Sequence, residues 1–100
     1  MKKGFLDLDK ILDNRIRLSI LSILMIEDMV PFKEIKESLG LTDGNLASHI
    51  KALEKAEYIK VYKSFIGKKP NTEFKITKNG KKAFTEHLKK LEHLISQHKK

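Results

Sequence analysis

Gly40 and Thr42, close together near the middle of the chain, most constrain what it can fold into. Apolar residues recur at helical spacing before Gly40, and glycine commonly follows the end of a helix. Thr42 suits an N-cap, and the apolar stripe after it predicts a second helix that ends near Ala56. The sequence therefore predicts two helices joined by a short turn, which is the helix-turn-helix arrangement.

Further elements are predicted on both sides of this helix pair. Asn14 to Glu27 is expected to form a helix, preceded by a short helix or a leading turn around Leu8 to Leu12. Alternating apolar residues predict strands from Tyr58 to Phe65 and from Glu73 to Thr77, and the IGKKPNT between them predicts a long, basic hairpin tip. Thr77 is expected to cap a last helix. The predicted fold class is mainly α with a small β-hairpin (α+β).

We expect one domain over residues 1–100, because no internal repeat, low-complexity tract or long Gly/Ser/Pro linker divides the chain. Its core and hairpin are predicted at about residues 14–78, and its C-terminal helix at about 78–97. A chain of 100 residues buries limited area, so a second subunit would help to stabilise it. Two apolar faces on the first long helix and a stripe on the last predict a homodimer interface at Leu18, Leu21, Met25, Phe84, Leu88, Leu91 and Ile95.

The positive charge is concentrated in the second half of the chain. The formal net charge is +8, yet residues 1–41 contain seven basic and seven acidic side chains, so the whole excess lies from Thr42 onward. This asymmetry favours a polyanion as the partner, and the alternative is a solvated, lysine-rich surface.

The absence of cysteine excludes disulfides and thiolate metal sites and favours a cytoplasmic protein. The first residues, MKKGFLDLDK, do not have the apolar segment and cleavage site of a signal peptide. The longest apolar-rich run, Leu18 to Ile26, is too short to cross a bilayer, so we expect no membrane association.

The second helix of the pair has an outward face that is small and rich in hydrogen-bonding groups. On a helical wheel, the outward and flanking positions hold Gly44, Asn45, Ser48, His49, Lys51, Ala52 and Lys55. A helix that enters the major groove of DNA needs little bulk, with donors and acceptors where it meets base edges, while lysines at its margin meet phosphates. The alternative is an ordinary exposed helix that contains a poorly helix-forming glycine.

Two stretches follow one another in the chain, LTDGNLASHIKALEKAEYIK and then FIGKKPNTEFKITKNGKKAF. Their order resembles the winged-helix transcriptional regulators of the MarR/ArsR type, in their short, single-domain branch. The resemblance covers about residues 14–84 and implies a winged helix-turn-helix, with a three-helix core, a wing and a C-terminal dimerisation helix. It implies that Thr42 caps the recognition helix and contacts the DNA backbone. It implies further DNA contacts from Gly44, Asn45, Ser48, His49, Lys51, Lys68 and Lys69.

Three features depart from the pattern of these regulators. Glu57 stands where they usually have a glycine after the recognition helix, so we expect that helix to end differently here. Lys68 and Lys69 stand where relatives often have arginine, which predicts weaker minor-groove readout because lysine has no bidentate fork. The absence of cysteine removes the thiolate sensing of metal-binding relatives.

The resulting functional prediction is a homodimer that binds a palindromic operator in double-stranded DNA and represses transcription. The alternative is an interaction module that binds a protein or RNA partner. No catalytic constellation emerges, so we expect no enzyme and no cofactor. We also expect no metal site, because His87 and His98 are too far apart to bind one ion within a chain and could do so only across a dimer.

Overall fold

The computed structural model describes residues 8–98. Its elements follow one another as α1 (Arg15–Ile26), β1 (Val30–Pro31), α2 (Phe32–Leu39), α3 (Asp43–Lys55), β2 (Ile59–Ile66), β3 (Lys69–Ile76) and α4 (Lys78–Ser96). The three strands form one antiparallel sheet in the order β1-β3-β2, which confirms the predicted fold class. The ends of the predicted domain, residues 1–7 and 99–100, lie outside the described residues. Within residues 8–98, no helix is both long enough and apolar enough to cross a membrane.

Side-chain oxygens cap three of the helices. The side chain of Asn14 accepts hydrogen bonds from two backbone N–H groups in the first turn of α1, both at 3.0 Å. Thr42 Oγ1 accepts from the backbone N–H of Asn45 at 3.1 Å at the start of α3. Thr77 Oγ1 accepts from the backbone N–H of Gly80 at 2.9 Å at the start of α4. Each bond satisfies a donor that has no partner within its helix, which explains why the helices begin where they do.

The end of α3 corrects one expectation. Glu57 has a φ of +65°, and within the described part of the chain it is the only residue other than glycine with a positive φ. Its N–H donates to the carbonyl of Glu54 at 2.9 Å, and the N–H of Tyr58 donates to the carbonyl of Leu53 at 3.0 Å. These two bonds form a Schellman motif. The helix therefore ends in the left-handed conformation, as it would with a glycine, and the expectation of a different end is wrong.

The hairpin is longer and its turn is tighter than the sequence predicts. β2 and β3 pair along their whole length, up to Ile66 opposite Lys69, so that only Gly67 and Lys68 form the turn. Gly67 has a φ of +65° and Lys68 does not have a positive φ, which matches a type II′ turn. The prediction of a long tip is therefore wrong, because Pro70 belongs to β3.

β1 is an element that the sequence does not predict. Val30 lies opposite Phe74, and Pro31 lies opposite Glu73, at the edge of the sheet. Two residues are too few to show alternation. Proline is tolerated in such an edge strand because its nitrogen can face away from the ladder.

The core lies between α1, α2, α3, the inner half of the hairpin and the start of α4, and it includes Leu12 and Val30. Leu21 of α1 is fully buried there, and Phe84 of α4 is 8% exposed. Both are predicted for the dimer interface. Because their side chains already pack inside the protomer, they contribute little apolar surface to an interface, and that part of the prediction is corrected.

The start of α4 packs directly against the end of α3. A Cβ at Gly80 would overlap the backbone oxygen of Tyr58, so the close approach requires glycine. Thr77 Oγ1 donates to the carbonyl of Glu57 at 2.7 Å. The Tyr58 hydroxyl donates to Asp9 Oδ2 at 2.5 Å, and burial together with this hydrogen bond raises the pKa of Tyr58 to about 12. These contacts fix the C-terminal end of α3 relative to α4 and to the N-terminal turn, which is formed by residues 10–12 directly after Asp9.

Candidate nucleic-acid interface

One face of α3 is open along most of its length. Leu46, Ile50 and Leu53 are buried in the core. The exposed positions of the helix are Asp43, Gly44, Asn45, Ala47, Ser48, Lys51, Glu54 and Lys55. A Cβ at Gly44 would contact nothing within 4 Å, so packing within the chain does not require a glycine there. The burial pattern agrees with the helical wheel, and DNA contact by the exposed side chains stays a prediction.

The first turn of α3 combines an N-cap with an ion pair. Thr42 is exposed, and its Oγ1 already accepts from the N–H of Asn45. Asp43 Oδ1 lies 2.8 Å from Nζ of Lys36, which belongs to α2. The Asp43 carboxylate interacts favourably with the helix dipole but would repel a DNA phosphate. Lys36 offsets that repulsion, so α2 contributes a charge to this site that the sequence spacing does not reveal.

His49 does not lie on the open face as a free side chain. It is half-buried against α1, where its Nδ1 lies 3.4 Å from Nη1 of Arg17. A guanidinium can only donate, so Nδ1 accepts and the imidazole hydrogen is placed on Nε2. Burial, and to a smaller extent the charge of Arg17, lowers the pKa of His49. His49 therefore links α3 to α1, which differs from the prediction that it simply faces DNA.

Arg17 is a basic residue of this region that the sequence-based prediction does not include. Its Nε donates to the carbonyl of Ile11 at 2.6 Å. This bond holds the guanidinium between the N-terminal turn and His49 of α3. The position of Arg17 depends on how α1 packs against α3, and no pattern within α1 alone could reveal it.

The wing, defined here as β2, the turn and β3, projects its outer half into solvent. Lys63, Lys68 and Lys69 are exposed in that half. Lys68 lies in the turn itself, and Lys69 begins β3. Residues 60–72 contain no acidic side chain, so every charged side chain of the outer wing is basic. Contact of these lysines with DNA stays a prediction.

Apolar side chains also remain uncovered on α1 and α4. Of the other residues predicted for the dimer interface, those in exposed or half-buried positions are Leu18, Met25, Leu88, Leu91 and Ile95. Ile95 is 56% exposed near the end of α4. Ile26, which is 82% exposed at the end of α1, adds an apolar residue that the prediction does not include.

His87 and His98, the two histidines considered for a shared metal ion, do not share a surface. His87 is buried, and its Nδ1 has no hydrogen-bond partner, whereas His98 is exposed beyond the end of α4. They are therefore not arranged on one exposed face where a dimer could place them around an ion. Among the residues that the structure describes, no cluster of three or more His, Cys, Asp or Glu side chains could hold a metal.

Known proteins are similar to this chain in sequence and in fold. Residues 16–95 match the family described as winged helix DNA-binding domain. The uncharacterized protein MJ0432 of Methanocaldococcus jannaschii is 38% identical over 79 residues, which cover 79% of this chain and 86% of that protein. The structure of the transcriptional regulator homologue protein from Pyrococcus horikoshii OT3 superposes with a TM-score of 0.89 and 34% identity, covering 99% of this chain and 100% of that one. The YusO protein from Bacillus subtilis shares the fold, with a TM-score of 0.72 and 16% identity over 85% of this chain and 60% of that one.

Proposed function

Because this chain belongs to the winged helix DNA-binding family, we propose that it is a transcriptional regulator that binds double-stranded DNA sequence-specifically. In this proposal α3 lies in the major groove, and the wing meets the adjacent backbone and minor groove. The open face of α3 carries the proposal. From Gly44 to Ser48 its exposed side chains are all small or hydrogen-bonding, where a solvent-facing helix usually has long charged ones.

The side chains of α3 divide into two roles. Asn45 and Ser48 are exposed in the N-terminal half of the helix, where they can donate to and accept from base edges. Lys51 and Lys55 are exposed in the C-terminal half, where they can meet phosphates. Base preference therefore depends on the first pair, and affinity for any duplex depends on the second.

We further propose that the protein acts as a homodimer on a palindromic operator. α4 has 19 residues and is about 28 Å long. Phe84 and His87 in its first half are buried, whereas Leu88 and Ile95 further along are exposed. A second copy related by a two-fold axis would cover these apolar side chains. The two α3 helices would then reach half-sites about one turn of DNA apart.

Repression is the proposed outcome of binding, with the cytoplasm as the site of action. A dimer that covers promoter DNA prevents other proteins from occupying the same base pairs, and this effect needs no contact beyond the DNA interface. The absence of cysteine suits a reducing compartment.

Selection of bound duplexes from a random pool tests the proposal. We expect the full chain to enrich a palindrome with half-site centres about 10 base pairs apart. The matched control is Asn45→Ala with Ser48→Ala, which should bind DNA but fail to enrich the same sequence. Enrichment of no sequence by the wild type would contradict sequence-specific binding, and equal affinity for duplex RNA would favour the interaction-module alternative.

A further inference from the structure

The tip of the wing carries large apolar side chains that nothing within the described protomer covers. Phe65 is 68% exposed and Ile66 is 67% exposed, and both directly precede the turn at Gly67 and Lys68. Single exposed apolar residues are common on proteins, but these two follow one another in the sequence. Consecutive strand residues point to opposite faces of a sheet. Each face of the wing therefore presents one large apolar side chain next to the turn.

Pairing across the strands makes this tip stiff. Phe65 lies opposite Pro70, in the pair next to the Ile66–Lys69 pair that closes the turn. Pairs in an antiparallel ladder alternate between hydrogen-bonded and non-hydrogen-bonded, and the pair that closes a two-residue turn is bonded. The Phe65–Pro70 pair is therefore non-bonded, so its side chains lie close together and the missing N–H of Pro70 removes no ladder bond. We call Phe65, Ile66 and Pro70 the apolar tip.

The charge around the apolar tip indicates which kind of partner could cover it. Lys60, Lys63, Lys68 and Lys69 are exposed, and no acidic residue occurs in residues 60–72. A second copy that covered the apolar tip with its own wing would bring like charges together, because that wing is equally basic. Duplex DNA instead offers phosphates to the lysines, and sugar and base surfaces to the apolar side chains.

Building on the DNA-binding function proposed above, we propose that the apolar tip enters the minor groove beside the α3 site and opens a base step there. A B-form minor groove is about 6 Å wide, and two paired strands are already about 4.8 Å apart. With Phe65 and Ile66 on its faces, the wing enters only where the groove widens. Wedges of this kind partly unstack the bases and bend the duplex towards the major groove, which brings more DNA against α3.

The apolar tip would distinguish DNA sequences by how easily their base steps open, without hydrogen bonds to the bases. Steps such as TA are flexible and open easily, whereas A-tracts are stiff and have a narrow minor groove. In this proposal the apolar tip gives the preference for TA steps over A-tracts, while the surrounding lysines supply affinity for any duplex.

The test uses the full chain and two duplexes of about 30 base pairs that contain only A·T pairs. One duplex alternates T and A along each strand, and the other has A throughout one strand. Each carries 2-aminopurine in place of one adenine, because the fluorescence of this base rises when it unstacks. At equal salt we expect the wild type to bind the alternating duplex roughly tenfold more tightly and to raise its fluorescence.

Two double variants separate the apolar tip from its charge. Phe65→Ala with Ile66→Ala should lose most of the preference and the fluorescence rise, but keep the slope of log affinity against log salt, because the lysines remain. The matched control, Lys68→Ala with Lys69→Ala, should flatten that slope and keep the preference. All four positions are exposed, and circular dichroism checks that each variant folds.

The proposal is overturned if the apolar variant keeps both the preference and the fluorescence rise. It is also overturned if the wild type binds both duplexes equally with no rise; DNA binding through α3 would stand in either case. If the apolar variant instead changes only the sedimentation of the free protein, the apolar tip is an interface between copies and the proposal is wrong. Failure of the wild type to bind any duplex would overturn the DNA-binding function itself.

Discussion

Nη1 of Arg17 in α1 lies 3.4 Å from Nδ1 of His49 in α3, so that a basic side chain of the first helix touches the helix proposed to read DNA. The imidazole is half-buried at this contact. Burial and the charge of Arg17 lower the pKa of His49 in the folded protein, below its ordinary value of 6.5. We therefore expect protonation of His49 to weaken the packing of α1 against α3.

The first prediction concerns this sensitivity. Below pH 6.5 the unfolded chain binds a proton at His49 more readily than the folded protein does, so stability should be lost as pH falls through 6.5. His49→Gln removes the titrating group, and the other three histidines are common to both proteins. Thermal unfolding from pH 7.5 to 5 should therefore show the wild-type Tm falling more than that of the variant. A pH-independent difference in Tm would contradict the assigned environment of His49.

The second prediction concerns the left-handed residue that ends α3. Glu57→Gly should increase the free energy of unfolding by roughly 0.5–1 kcal/mol, because glycine adopts a positive φ without strain from a Cβ. The matched control, Glu54→Gly, lies within the same helix and should lower it by about 1 kcal/mol. Urea unfolding measures both. Destabilisation by both substitutions would mean that the Glu57 side chain contributes more than its backbone strain.

The helix-turn-helix is predictable from the sequence because its determinants are local. Thr42 and Thr77 each cap a backbone N–H three residues away, and the apolar stripe of α3 depends only on helical spacing. The length of the hairpin is not predictable in this way. Residues 62–70 are exposed on both faces of the wing, so the alternation that marks a half-buried strand is absent there.

The candidate site is predictable only in part, for a related reason. A helical wheel reveals the open face of α3, but the Arg17–His49 and Lys36–Asp43 contacts join different helices and depend on how those helices pack. Phe84 illustrates the same limit. It belongs to the apolar stripe of α4 together with Leu88, and only the packed structure shows that Phe84 is in the core while Leu88 is exposed.

The third prediction concerns the basic tip of the wing. Lys68→Ala with Lys69→Ala should flatten the slope of log affinity against log salt by roughly one to two units per subunit, because the variant neutralises fewer phosphates and releases fewer counterions. Fluorescence anisotropy titrations across a range of salt concentrations measure the slope. Lys33→Ala, at an exposed position of α2, serves as a control for the removal of charge elsewhere. An unchanged slope in the wing variant would show that these lysines do not meet phosphates.

The fourth prediction concerns assembly. Leu88 is exposed and Leu91 is half-buried on α4, so neither position should need an apolar side chain for folding. We expect Leu88→Lys with Leu91→Lys to give a folded monomer, and the wild type to sediment as a dimer at micromolar concentration. The variant should bind a half-site weakly and lose most of its affinity for a full palindrome, because the two binding events are no longer linked. Thr85→Lys, at another exposed position of α4, is the matched control and should stay dimeric. Sedimentation of the wild type as a monomer would contradict the dimer and the palindromic operator.

The central claim is that the open face of α3 reads bases, and one competition measurement tests it most directly. Wild type, Asn45→Ala with Ser48→Ala, and Lys51→Ala are each titrated at one salt concentration against the selected duplex and a shuffled duplex. Removing the Asn45 and Ser48 side chains should reduce the discrimination between the duplexes by about 1–3 kcal/mol for each bidentate hydrogen-bonding interaction with a base. Lys51→Ala should instead lower the affinity for both duplexes by the same factor. If the Asn45 and Ser48 variant keeps both its affinity and its discrimination, α3 is not the recognition helix.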